Sequence, residues 1–179
     1  SGVIGMAGGV TLLALMTFFL TLEIIIPVHG IVQLSSNSAR TWFLKNKIDW
    51  SIFTPFVLGL PFGVICATYL IKEIVDKSLL LMLIAALIFY VLFKPKKLPK
   101  LILPKKAFAI LGLVSGFFAM LVGATGPLLA PFFLRKDLDK KSIVATKAMC
   151  QMVVHTLKIP AFLTLGFDYM EYAWVIIAM

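Results

Sequence analysis

The stretch Val28-His29-Gly30-Ile31-Val32-Gln33-Leu34-Ser35-Ser36-Asn37-Ser38-Ala39-Arg40 sets strongly polar side chains in small and apolar surroundings. His29, Gln33, Asn37 and Arg40 follow one another at intervals of four, four and three residues. At about 3.6 residues per turn they fall on one narrow face of a helix. A second stretch, Lys147-Ala148-Met149-Cys150-Gln151-Met152-Val153-Val154-His155-Thr156-Leu157-Lys158, repeats the spacing with Lys147, Gln151, His155 and Lys158. On the surface of a soluble protein such faces would be ordinary. This chain does not suit water: it is 61% hydrophobic and 14% charged, with a mean hydropathy of +1.03. Soluble domains are about 45–50% apolar and about 25% charged. Composition therefore excludes a soluble globule and a disordered chain, and makes the lipid bilayer the first partner.

Working outward, the stripes lie among long uncharged runs: Ser1–Leu22, Trp50–Ile71, Ser78–Phe93 and Ala107–Leu134. A spanning helix needs roughly 20 apolar residues. The net charge of +9 sits between these runs, as in a polytopic membrane protein, and is not read as a nucleic-acid footprint. No basic leader followed by a small-residue cleavage site is visible. Cys66 and Cys150 stand in apolar helical context and read as small packed side chains, not a disulfide or metal pair.

The two stripes belong to an internal repeat. Gly5-Met-Ala-Gly8 recurs as Gly123-Ala-Thr-Gly126, and the same offset carries His29 onto Lys147, Gln33 onto Gln151, Asn37 onto His155 and Arg40 onto Lys158. One inserted residue later, Ile48-Asp49-Trp50 falls on Phe167-Asp168-Tyr169. This divides the chain into repeat 1, residues 1–106, and repeat 2, residues 107–179. The register also predicts about ten further residues before repeat 1 and about 45 after Met179, for about eight hydrophobic segments in all.

Each repeat opens on a long apolar segment carrying glycines, Gly8-Gly9 in one half and Gly126-Pro127 in the other. Both segments are expected to be broken, at Gly5–Gly9 and at Gly123–Pro127. Proline removes an amide donor and glycine loosens a helix. Paired interruptions in matching halves point to the binding site of a secondary transporter. The fold expectation is an all-α polytopic membrane protein of two repeats, each a Gly-broken or re-entrant helix followed by transmembrane helices.

Charge gives the orientation. Lys94, Lys96, Lys97, Lys100, Lys105 and Lys106 crowd residues 94–106 without an acid, and Arg40, Lys45 and Lys47 stand against Asp49. Both segments are expected in the cytoplasm. Equivalent loops lean to opposite signs: Glu23 is alone in one linker, while its counterpart holds Arg135, Lys136, Lys140 and Lys141 against Asp137 and Asp139. Opposite signs predict inverted repeats, which need an odd number of crossings each. A single broken crossing with parallel repeats is the alternative.

A polar stripe inside a membrane helix must face the bundle interior or a wet cavity. Neither stripe carries a carboxylate; Glu23, Asp49 and Asp168 lie near the helix ends. A buried lysine without an acid loses its proton or finds an anion. His29, Gln33, Asn37, Lys147, Gln151 and His155 are therefore candidate ligands for a small anion, with Gly8, Gly9, Gly126 and Pro127 adding helix N-terminal amides. Lys147 is expected to be the deepest lysine and the main charge, with snorkelling as its rival reading. Arg40 and Lys158 read as interfacial anchors with at most an accessory role. Catalytic residues, metal ligands and cofactors are not expected.

The run from Val28 to Trp42 with Ile48-Asp49-Trp50 resembles the sulfite exporter TauE/SafE family of membrane permeases. Ala145-Thr146-Lys147-Ala148-Met149-Cys150-Gln151 with His155 and Lys158 resembles its second repeat, as does Ser115-Gly116-Phe117 leading to Gly123-Ala-Thr-Gly126-Pro127-Leu128-Leu129. The resemblance covers essentially the whole chain. It implies a bacterial-type inner-membrane permease exporting a small anion, such as a sulfur oxyanion or organosulfonate. Homo-oligomerisation stays open. The alternatives from other classes are an anion channel and a membrane-embedded enzyme or sensor using the His/Lys/Gln cluster. Against the latter, no zinc-binding His-Glu-x-x-His or Gly-x-Ser-x-Gly elbow is present. ATP drive within the chain is not expected, because a Lys-Ser/Thr phosphate loop is missing too.

Overall fold

A computed structural model describes the backbone of residues 2–73, 77–93 and 103–179. Lys94, Lys96, Lys97 and Lys100 of the basic segment lie outside the described residues. The described residues form helices α1 (Gly2–Met16), α2 (Leu22–Leu44), α3 (Trp50–Glu73), α4 (Lys77–Phe93), α5 (Phe108–Val122), α6 (Gly126–Phe133), α7 (Lys140–Thr164) and α8 (Ala173–Ala178), with no strand among them.

Two helix pairs make the framework: α3 lies along α5, α2 lies along α7, and α3 also touches α7. Glycines let the first pair approach. A Cβ on Gly59 or Gly63 would collide with the backbone of α5 at Ala109 or Leu113. One on Gly112 or Gly116 would collide with the backbone of α3 at Phe56 or Leu60. This is the small-xxx-small crossing of membrane helices, doubled. The contacts advance together along both helices, so α3 and α5 run parallel. Phe56, Leu60, Val64 and Ala67 of α3 are buried, while Leu58, Phe62, Ile65 and Tyr69 on the other side are each about two-thirds exposed. Cys66 also points outward, contrary to expectation, whereas Cys150 is buried. A mainly apolar outer face fits lipid. Residues Trp50–Glu73 and Lys105–Val122 are long and apolar enough to cross a membrane.

The second pair is antiparallel. Ile26 meets Lys158 near the start of α2, and the Asp49 amide just past its end donates to Thr146 Oγ1 at 2.8 Å. The chain from α5 to α7 is a hairpin. It leaves from Leu103, turns at residues 123–125, and returns so that Arg135 donates to the Leu103 carbonyl. One end of the bundle thus gathers Lys45, Lys47, Asp49, Lys105, Arg135 and the start of α7. There Lys105 Nζ pairs with Asp49 at 3.0 Å and Arg135 with Asp137 at 2.8 Å. Burial works against the Asp49 charge, but the bonds from Ser51 and Lys105 outweigh it and hold the carboxyl below its usual range. Asp139 caps α7, accepting from the Ser142 amide at 2.6 Å.

The two glycine segments differ. The break expected at Gly123–Pro127 is present: α5 stops at Val122, Gly123 adopts φ of 83°, and α6 starts at Gly126. The break expected at Gly5–Gly9 is not, for α1 is continuous from Gly2 to Met16. In the repeat register Gly9 stands where the second half has Pro127. It keeps an amide for the helix, whereas Pro127 has none to offer the Gly123 carbonyl.

Candidate functional site

The stripes meet where α2 crosses α7. His29 is buried and its Nε2 donates to the Gly9 carbonyl at 2.8 Å. That bond places the ring hydrogen on Nε2 when the ring is neutral. His155, also buried, stands edge-on to it with ring centroids 6.3 Å apart. The Nδ1 atoms of both rings are buried without a hydrogen-bond partner.

Lys158 is the correction. Its place near the end of α7 suggested an interfacial anchor, yet it is only 1% exposed. Its Nζ donates to the carbonyls of Ile26 at 3.2 Å and Gly123 at 3.4 Å. Two sequence features make room for it. Gly30 has no side chain, and a Cβ there would lie 3.5 Å from Nζ. The Gly123 carbonyl is left without its helical donor because residue 127 is proline. Lys147, expected to be the deepest lysine, is only partly buried. Its amino group lies over Gly126, where a Cβ would approach it to 3.8 Å.

Gln151 and Gln33 occupy matching places. Gln151 donates to Thr125 Oγ1 at 3.3 Å, and its Oε1 would be 3.9 Å from a Cβ on Gly126. Gln33 lies against Gly9, where a Cβ would meet its Nε2 at 2.8 Å. Each glutamine head, then, rests on a glycine of the helix before it.

A cavity of about 460 Å³ opens here, bordered by Gly8, Gly9, Gln33, Ser36 and Arg40 among others. Arg40 Nη2 donates to Ser36 Oγ at 3.1 Å. Asn37 is buried and turns back on its own helix, donating to the Gln33 carbonyl at 2.8 Å. Pro127 is buried in the first turn of α6.

The predicted residues therefore fall into three groups. His29, His155 and Lys158 form a basic core; Gly8, Gly9, Gln33 and Arg40 border the cavity; Lys147 and Gln151 gather over Gly126. Thr125 and Thr146 escaped sequence reading. Thr125 sits inside the Gly-Ala-Thr-Gly motif, and its place in that motif was the available signal.

Comparisons with curated proteins and with solved structures return no match. The family model described as Sulfite exporter TauE/SafE matches residues 1–179, and the chain belongs to that family of membrane transporters.

Proposed function

We propose that the protein is a secondary transporter that exports a small anion, a sulfur oxyanion such as sulfite or a short organosulfonate, across a bacterial inner membrane. The observation that carries this reading is a glycine–glutamine contact at each end of a carboxylate-free crossing, Gly9 with Gln33 and, one register position away, Gly126 with Gln151. Backbone amides at the start of α6, the Gln33 and Gln151 amides and the Lys147 ammonium are donors suited to an oxyanion. Neutral donors hold a small anion without trapping it. A cavity of this size is ample for such a ligand.

The architecture supports inverted repeats over 1–106 and 107–179. α2 and α7 are equivalent in the repeat register, and their contacts run antiparallel. Three spans in a half give the odd count that inversion requires, with α2, α3 and α4 as those of the first and a hairpin, α5 and α6, opening the second. Positive charge favours the end bearing Lys45, Lys47, Lys105, Lys136, Lys140 and Lys141 as cytoplasmic, and Glu23, Asp168 and Glu171 stand at the other.

The test is sulfite counterflow in proteoliposomes, which separates a carrier from a channel. Wild type is expected to exchange sulfite saturably. Lys147→Met is expected to lose exchange while still unfolding cooperatively on heating. Wild-type exchange in Lys147→Met would remove Lys147 from the path.

A further inference from the structure

The basic core is not needed to line the cavity. His29, His155 and Lys158 are 0%, 2% and 1% exposed, and none of them borders the cavity beside Gly9. An oxyanion is also the wrong guest for this core. The Lys158 ammonium is met by two carbonyl oxygens, those of Ile26 and Gly123, whose lone pairs repel an anion. What the geometry leaves open is smaller. His29 gives its Nε2 hydrogen to Gly9, so its Nδ1 is a buried lone pair without a donor, and His155 Nδ1 is buried without a partner as well.

We infer that His29, His155 and Lys158 form one shared proton site, and that its charge state couples passage of the anion to movement of a proton. The inference rests on the transport reading above and adds the coupling ion to it. Three basic groups this close titrate as a unit rather than singly.

The surroundings leave them to one another. α1, α5 and α6, which bring Gly9 and Gly123 to the core, carry no titratable side chain. On α2, Glu23 precedes His29 by more than a turn and Arg40 follows it by about three. On α7, Lys147 lies about two turns before His155, with the buried Cys150 thiol between them. α3, which packs on α7, turns Cys66, Tyr69, Lys72 and Glu73 outward.

The placement supplies the coupling. One basic group holds each glycine segment by a backbone carbonyl: His29 holds Gly9 of the first half, and Lys158 holds Gly123 of the second. Gly9 is also the seat of Gln33, and Gly126, three residues after Gly123, is the seat of Gln151 and Lys147. An ionised donor makes a stronger hydrogen bond than a neutral one. Proton loading of the core therefore changes the grip on both segments, and with it the position of the donors that face the anion. A proton can bias two conformations only through such a difference in contacts.

Two measurements test this. In proteoliposomes, wild type and His155→Gln are compared for sulfite counterflow at equal pH and for sulfite accumulation under an imposed pH difference, so that the protonation of sulfite itself cancels between them. The variant is expected to keep counterflow and lose pH-driven accumulation; accumulation equal to wild type overturns the inference. Nitrogen NMR of the full chain, labelled at histidine, tests the proton site without transport. Across the pH range in which the chain stays folded, the two rings are expected to titrate with mutually dependent curves. Rings that hold one state throughout, or titrate independently, overturn it. Absence of sulfite exchange in wild type with coupled titration intact would instead refute the proposed cargo and leave the proton site standing.

Discussion

Replacing Gly112 by alanine should separate the two helices on which the bundle is built. The new methyl carbon would lie 2.8 Å from the Phe56 carbonyl carbon and 3.1 Å from its Cα, with the carbonyl oxygen nearer still. These are backbone atoms of α3, so no side chain can rotate away and the helices must part. Overpacking of this kind costs about 1–3 kcal/mol. Parting the helices also weakens the Cα–H···O contacts that close approach permits, at about 0.5–1 kcal/mol each. The expected loss for Gly112→Ala is thus about 2–3 kcal/mol. Gly59→Ala and Gly63→Ala should match it, since each meets backbone of α5 just as closely. Gly116→Ala should cost less, because its nearest contact is 2.5 Å and one of its neighbours, Leu60 Cδ1, is a side-chain rather than a backbone atom. Gly8→Ala is the control: it sits within α1 with nothing within 4 Å of its Cβ position. There alanine should gain about 0.5–1 kcal/mol from helix propensity. Thermal unfolding of the purified variants in one detergent reads the series. A midpoint for Gly112→Ala at or above that of Gly8→Ala would refute the close crossing of α3 and α5.

Other perturbations separate the remaining parts. Gly9→Ala should leave the fold intact but push the Gln33 amide off its seat, lowering sulfite exchange more than Gly8→Ala does; equal exchange in the two would remove Gln33 from the path. Asp49→Asn should destabilise by less than about 1 kcal/mol at neutral pH, because Lys105 is partly exposed. Since the Asp49 carboxyl is held below its usual range, its contribution is complete above the unfolded value of about 4 and disappears as pH falls through the folded one. The difference in unfolding midpoint from wild type should close only in acid; a difference that persists there would show another origin. For orientation, Lys97→Cys should resist an impermeant thiol reagent applied to intact cells, and ready labelling would reverse the assignment.

What was legible in the sequence divides along physical lines. The stripes were legible because polar residues at helical spacing are conspicuous in apolar sequence, and α2 and α7 carry them. The break before α6 was legible because Gly123 and Pro127 both oppose a helix. The continuity of α1 was missed because the glycines were read as equivalent, although Gly9 retains the amide that Pro127 lacks. The depth of Lys158 was hidden because it depends on two distant absences: a side chain at Gly30 and an amide at Pro127. Either alone would leave a buried lysine without room or with the Ile26 carbonyl as its one backbone acceptor instead of two. The Gly59/Gly63 and Gly112/Gly116 pairing was present as two small-residue motifs, but which helices they join is a property of the fold.

The division of labour among the cationic groups follows from where acceptors are available. A fixed charge facing the anion strengthens binding and slows release, so a carrier gains from few such charges and many neutral donors. Lys147 over Gly126 and Arg40 beside the cavity are the cations placed next to the glycine segments. Glutamine amides and helix amides make up the rest of the donor set there. Lys158 is buried, and its ammonium is met by the backbone carbonyls of Ile26 and Gly123. Had a carboxylate paired with it, the core would be an ion pair with a settled charge and little response to pH. Carbonyls from α2 and from the break after α5 solvate the ammonium. On the proposed coupling, the carboxylate-free core is where one proton, more or less, is felt at both Gly9 and Gly123.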